Sequence, residues 1–235
     1  EEADKSFINC VIRLRDLKGG HSGMEINKER GNANKIMGRF LMDLKSVIDF
    51  KINSISGGAK NNAIPRNADA VILFREDDKT IVTEKLAQWN SIFKNELNTI
   101  DPDVNLTIEI LKDKVGKIFS EKTATKALQV LFLIPNGVKS MSMAIEGLVQ
   151  SSTNIGVLTT DDNYIVFDSA VRSSVASLKK LICDETIVLA EMVGATIEFE
   201  SDYPEWQYNP SSKIKTVFEN VYNDLFGKKP EIAAI

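Results

Sequence analysis

The chain has 235 residues, which is enough for one large domain or two small ones. Hydrophobic residues make up 43% and charged residues 26%, and the formal net charge is −4, so neither nucleic acid nor a membrane is expected as a partner. No apolar run approaches the roughly 20 residues that span a bilayer, and the acidic start is not that of a signal peptide, so we expect a cytoplasmic protein.

The first half of the chain shows the periodicities of four strands and two helices. Alternating and β-branched residues indicate the strands, and apolar residues three and four positions apart indicate the helices. In chain order the predicted elements are a strand over 7–17, a helix over 32–47, strands over 50–56 and 68–74, a helix over 83–97 and a strand over 104–111.

The second half repeats this pattern more roughly. Its predicted elements are a helix over 123–134, a short Met-rich stretch over 140–144, strands over 151–160 and 163–173 around a hairpin turn, a helix over 175–193, a strand over 195–201 and, after a Pro/Asn/Ser connector, a helix over 214–226. We therefore predict an α+β fold of two ferredoxin-like β-α-β-β-α-β halves, each an antiparallel sheet with helices on one face, followed by a C-terminal helix.

The first candidate site is a glycine-rich turn, GGHSG over 19–23, which carries His21. Glycine allows the backbone to approach a ligand closely, so the turn would present the imidazole as a hydrogen-bond donor to a developing oxyanion. The alternative is a turn histidine that merely faces solvent.

Two further segments offer polar side chains. Asn62 lies in a glycine-rich connection that ends in Ile-Pro, and its amide could hold a peptide-like ligand; the alternative is an Asx turn that caps a strand. Arg172 lies at the end of a strand, where its planar guanidinium suits a carboxylate; the alternative is a surface salt bridge.

A metal site is not expected within this chain. His21 is its one histidine, and there is no HExxH and no CxxC, whereas zinc hydrolases hold their metal with several imidazoles or thiolates. The same count argues against a serine hydrolase. The chain is therefore either not a zinc enzyme or a piece of one. Cys10 and Cys183 are expected to be free thiols.

These segments occur in the same order as similar segments of one enzyme family. LKGGHSG over 17–23 continues to GNANK over 31–35, and NAIPRNA over 62–68, STNIGV over 152–157, VRSS over 171–174 and YPEW over 203–206 follow at suitable distances. Together they closely resemble the M20 metallopeptidases, in particular the bacterial aminoacyl-histidine dipeptidases of that family. The resemblance covers nearly the whole chain, and GGHSG with GNANK is its most specific part.

The resemblance implies a function for the parent protein. Its members are dinuclear zinc hydrolases with a catalytic domain and a lid, and this branch cleaves Xaa-His and other unblocked dipeptides. It implies that His21 stabilises the tetrahedral oxyanion and that Asn62 and Arg172 hold the substrate, Arg172 through the substrate carboxylate. Asn154 is implied to line the same cleft. The zinc ligands are expected outside this chain, which would then be inactive alone.

The resemblance also suggests a division of the chain. Residues 1–6 are expected to be a remnant of the catalytic domain, 7–118 and 119–203 the two halves of the lid, and 204–235 a return segment and helix of the catalytic domain. The doubled lid favours a His21 that acts within one chain, although some family members use it across a homodimer. The alternative function is a non-catalytic dimerisation module or a ligand-binding α+β module.

Overall fold

A computed structural model describes residues 1–3 and 6–231. The expected first and last segments extend into residues 4, 5 and 232–235, which lie outside the described residues. Among the helices described, none is both long and apolar enough to cross a membrane.

The first half forms the predicted ferredoxin-like unit. Its main elements are β1 (Ile8–Arg15), α1 (Ala33–Lys45), β3 (Lys51–Gly57), β5 (Ala68–Phe74), α2 (Lys79–Glu96) and β6 (Asn105–Ile110). The strands pair antiparallel in the order β6-β1-β5-β3, which is the arrangement expected of a β-α-β-β-α-β unit. Two short strands, β2 (Gly20–His21) and β4 (Ala63–Ile64), were not predicted and form a separate two-stranded sheet.

Helix α1 anchors this half on the sheet because its sequence supplies both a cap and an apolar face. The side chain of Asn32 accepts hydrogen bonds from the backbone N–H groups of Asn34 and Lys35, which satisfies the free donors of the first turn. Met37, Phe40 and other apolar residues of the helix are buried against the sheet. Asn32 and the GNANK segment therefore fix where the helix begins.

The second half adds α3 (Glu121–Leu133), β7 (Gly137–Met141), β8 (Val149–Thr160), β9 (Ile165–Ser173) and α4 (Ala176–Val193). Strand β8 pairs with β7, with β9 and, at Gly57 and Leu158, with β3, so both halves share one mainly antiparallel sheet. Helices α1 to α4 pack on one another and on this sheet, which confirms the predicted α+β class.

The predicted strand over 195–201 is wrong. Residues 195–200 have no strand pairing, and their side chains are mostly exposed. The alternation of apolar and polar residues there is typical of a strand, but a strand also needs a neighbouring edge for its backbone hydrogen bonds. The second half therefore has three strands between its two helices and not a full copy of the first half.

Helix α5 (Lys213–Phe226) follows the connector. Its apolar residues occur at helical spacing, yet none of its residues is buried; Phe218 is 70% and Leu225 71% exposed. An amphipathic helix with an open apolar face is typical of a segment that packs against another part of a protein. The predicted assignment of 204–235 to a separate domain stays a prediction.

Candidate functional site

The candidate site is built on the small β2–β4 sheet. Gly20 pairs with Ile64 and His21 with Ala63, and the Ser22 N–H donates to the Asn62 carbonyl over 2.9 Å. This pairing brings two of the residues predicted from the sequence, His21 and Asn62, side by side. The Asn62 side chain is exposed and makes no hydrogen bond to the described part of the chain.

The ring of His21 is held in one orientation by its own turn. Its Nδ1 accepts hydrogen bonds from the backbone N–H groups of Gly23, over 3.2 Å, and Met24, over 3.1 Å. An Nδ1 atom that accepts carries no hydrogen, so the ring hydrogen of the neutral imidazole is on Nε2. The turn therefore presents an N–H donor at the outer end of the ring.

Glu25 holds the backbone of His21 and was missed by the sequence analysis. Its carboxylate accepts the His21 N–H over 3.0 Å and lies 2.9 Å from Lys28 Nζ and 3.0 Å from an Arg30 guanidinium nitrogen. The hydrogen bond from Lys28, followed by that from the His21 backbone, lowers the pKa of Glu25 to about 2. In the sequence, the only indication that Glu25 contacts His21 was its position four residues after the histidine.

Arg172 lies in β9, paired with Ser152 of β8. In the described ranges no carboxylate forms a salt bridge with it, and its buried Nε finds no hydrogen-bond partner there. A Cβ atom built on Gly23 would lie 3.1 Å from His21 Cε1 and 3.3 Å from Arg172 Nε, so the imidazole and the guanidinium flank the same glycine. The site thus combines a ring N–H donor with a cation that has no ion-pair partner among the described residues, an arrangement suited to an anion.

Ser22 is a second polar group that the sequence analysis left aside. It is 2% exposed, and its Oγ has no hydrogen-bond partner among the described residues. Buried hydroxyl groups are nearly always paired in proteins, so Ser22 is an exception that lies beside the histidine.

Asn154 lies beneath the site and not on its surface. It is 1% exposed, and its amide donates to the carbonyls of Asn61, over 3.0 Å, and Ala63, over 2.9 Å. Its Oδ1 accepts from Asn32 over 3.1 Å. Both amide hydrogens are therefore used to hold the segment that carries Asn62, and a direct contact of Asn154 with a substrate stays a prediction.

Two glycines let this segment lie against β8. A Cβ on Gly156 would be 2.2 Å from the Cα of Asn61, and a Cβ on Gly58, whose φ is +75°, would be 1.9 Å from the carbonyl oxygen of Gly156. Backbone-to-backbone contact at this distance leaves no room for a side chain.

Zinc does not fit the residues at this site. Across residues 1–3 and 6–231, no group of three or more His, Cys, Asp or Glu side chains is placed to hold a metal ion. Cys10 and Cys183 are free thiols, as expected, and burial raises the pKa of Cys10 to about 12, which leaves it an inert thiol.

The mainly antiparallel sheet, the helices packed on it and the histidine turn define an α+β domain with a candidate anion site. Residues 12–101 match the family model described as the peptidase dimerisation domain of the M20 group. This part of the chain is therefore similar to the dimerisation domain of M20 peptidases.

Two relatives support this assignment. The cytosol non-specific dipeptidase of Escherichia coli (strain K12) is 33% identical over 236 aligned residues, which cover 100% of this chain and 48% of the relative. The crystal structure of the aminoacylhistidine dipeptidase from Vibrio alginolyticus superposes with a TM-score of 0.94 at 33% identity and covers 99% of this chain and 47% of that one. The chain thus spans about half the length of the relatives it matches.

Proposed function

We propose that this chain is the lid of an M20-type dipeptidase and that His21 is its oxyanion donor. The observation that carries the proposal is the hydrogen bonding of Nδ1, which leaves Nε2–H free to donate. When a peptide carbonyl is attacked, its oxygen gains negative charge, and a preorganised N–H donor stabilises that charge more than the ground state. His21 would reach the substrate when the cleft closes.

Arg172 and Asn62 would hold the substrate beside His21. The free guanidinium of Arg172 suits the terminal carboxylate of a dipeptide, and the exposed amide of Asn62 suits its peptide group. The names of the two relatives, a non-specific dipeptidase and an aminoacylhistidine dipeptidase, support unblocked dipeptides, including Xaa-His, as substrates. The word cytosol in the first name supports a cytoplasmic location.

Zinc, which the family resemblance implies, would be held by a part of the parent protein other than the described residues. We therefore expect that the 235-residue chain alone does not bind stoichiometric zinc and does not hydrolyse an Xaa-His dipeptide such as carnosine. Metal analysis and a hydrolysis assay check both statements. Stoichiometric zinc in this chain would contradict the proposal that the zinc ligands lie elsewhere in the parent protein.

The decisive experiment replaces His21 in the full-length enzyme. His21→Ala should lower kcat for dipeptide hydrolysis by about 10²–10³ and change KM little, because the lost hydrogen bond forms mainly in the transition state. His21→Gln retains an N–H donor and should recover part of the loss. An unchanged kcat in His21→Ala would remove His21 from the mechanism.

A second candidate function is homodimerisation, because the matched family model is a dimerisation domain. Strand β3 of the matched region is already paired with β8 of the same chain at Gly57 and Leu158, so a second copy would associate through another surface. Light scattering of the chain tests this candidate, and a strict monomer at high concentration would count against it.

A further inference from the structure

Asp101 is a fully buried carboxylate at the base of the segment that carries His21. It follows α2 and is 0% exposed. One carboxylate oxygen accepts the Lys18 N–H over 2.7 Å, and the other accepts the Gly31 N–H over 2.8 Å. Asp101 forms no salt bridge with a lysine or arginine of the described chain, so its charge is balanced by backbone donors.

The two donors are the ends of one loop, residues 18–31, and His21 lies within it. A single side chain therefore closes this loop, which will be called the histidine loop. The loop has little apolar packing of its own, because Ile26 is its buried apolar side chain while Met24 is 60% exposed. Polar contacts must set its position where a core does not.

A second layer of contacts acts inside the histidine loop. Arg30 donates to the Gly19 carbonyl and contacts Glu25, and Glu25 accepts the His21 N–H. These contacts shape the loop but do not tie it to the rest of the protein. Two links tie the loop to the rest of the protein. One is the pairing of β2 with β4 at His21, and the other is Asp101 at the two ends of the loop, whose own N–H bonds to the Leu97 carbonyl at the end of α2.

We infer that Asp101 is a positioning residue for His21: by closing the histidine loop it sets where the imidazole is presented and keeps Nδ1 on its two amide donors. The effect of Asp101 on catalysis rests on the proposed function, but its effect on the placement of the His21 imidazole does not.

The placement can be measured directly because His21 is the only histidine in the chain. Its two ring nitrogens give one pair of ¹⁵N resonances, and a fixed Nε2–H tautomer separates them widely. Asp101→Asn replaces one acceptor oxygen by an NH₂ group that faces a backbone N–H, so one end of the loop is released. We expect the two ¹⁵N resonances to move toward their solvent-averaged positions in Asp101→Asn.

Asp43→Asn is the matched control. The Asp43 carboxylate also accepts two hydrogen bonds, from Trp89 Nε1 over 2.7 Å and Lys85 Nζ over 2.9 Å, but it does not touch the histidine loop. Its loss should lower the melting temperature and leave the His21 resonances in place. If Asp101→Asn does not fold, Asp101→Glu, which keeps the charge and shifts it by one methylene, is compared in its place. Unchanged His21 resonances in a folded Asp101 variant would overturn the inference.

A double-mutant cycle in the full-length enzyme separates this inference from the proposed function. Asp101→Asn should lower kcat roughly tenfold or more with His21 present, and less than about twofold in a His21→Ala background, because the effect is transmitted through His21. Equal factors in both backgrounds would overturn the positioning role alone. No effect of His21→Ala by itself would overturn the proposed function, whatever the resonances show.

Discussion

The imidazole of His21 and the guanidinium of Arg172 both lie against Gly23, although they come from different halves of the chain. A Cβ on Gly23 would be 3.1 Å from His21 Cε1 and 3.3 Å from Arg172 Nε. The shared sheet makes this approach possible, because β8 joins β9 to the first half through Gly57 and Leu158. The proposed oxyanion donor and carboxylate site are therefore both supplied by one chain.

The first prediction concerns Arg172 in the full-length enzyme. Arg172→Met removes the cation proposed to bind the substrate carboxylate, and a hydrogen bond to a charged group contributes about 1.5–3 kcal/mol, so KM for a dipeptide should rise roughly tenfold to a hundredfold. Steady-state kinetics with a dipeptide and its C-terminal amide check the prediction. Arg75→Met, at an exposed arginine outside the site, is the control. If the variant still prefers the free carboxylate as strongly as the wild type does, Arg172 is not the carboxylate site.

The second prediction concerns the spacing of the two groups. Gly23→Ala places a methyl group in contact with both His21 and Arg172, and its three nearest atoms are all side-chain atoms. The fold should tolerate the change, but a shift of a few tenths of an ångström in either group should lower kcat/KM roughly tenfold. Thermal unfolding and steady-state kinetics are measured together. A loss of stability large enough to account for the lower activity would contradict the expectation.

Much of the fold was predictable from the sequence because its signals are local. Strand β5 was predicted with its observed limits of Ala68–Phe74, and α1 was predicted within two residues at its C-terminal end, since periodicity and capping act over a few residues. Strands β2 and β4 contain too few residues to show a period. The wrong strand over 195–201 had the right alternation but no neighbouring edge, which a local pattern does not reveal.

The site was predictable only in part, for the same reason. His21, Asn62 and Arg172 stand in motifs that can be recognised in the sequence. The structure places the side chains of His21 and Arg172 against one glycine and the backbone of Asn62 beside the histidine turn. Asp101 stands in no motif, and its partners Lys18 and Gly31 are distant in sequence. A contact of that kind is set by the packing of α2 against the sheet and not by any spacing along the chain.

The third prediction tests the close approach beneath Asn62. Gly156→Ala would place its methyl carbon 2.2 Å from Asn61 Cα, and backbone cannot yield as a flexible side chain can. We expect a loss of about 1–3 kcal/mol in the free energy of unfolding, measured by urea denaturation. Gly116→Ala is the matched control, because a Cβ there meets nothing within 4 Å. Equal stability of the two variants would contradict the packing described for β8.

The last prediction concerns Lys35, whose ammonium group joins the two halves. Its Nζ donates to the carbonyls of Leu131, Phe132 and Ile134 at the C-terminal end of α3, over 3.0, 2.6 and 2.9 Å. Burial lowers the pKa of Lys35 from 10.5 to about 8. Because the unfolded chain then holds this proton more tightly than the folded chain, the contribution of Lys35 to stability rises as the pH increases from about 8 to about 10.5.

Lys35→Met has no such proton, so the stability of the wild type relative to Lys35→Met should increase between pH 7.5 and pH 10, measured by urea denaturation at each pH. Lys122→Met, at an exposed lysine of α3, should show no comparable change. A difference between wild type and Lys35→Met that stays constant or shrinks with pH would contradict the burial of this amine, because desolvation on folding makes the difference grow with pH.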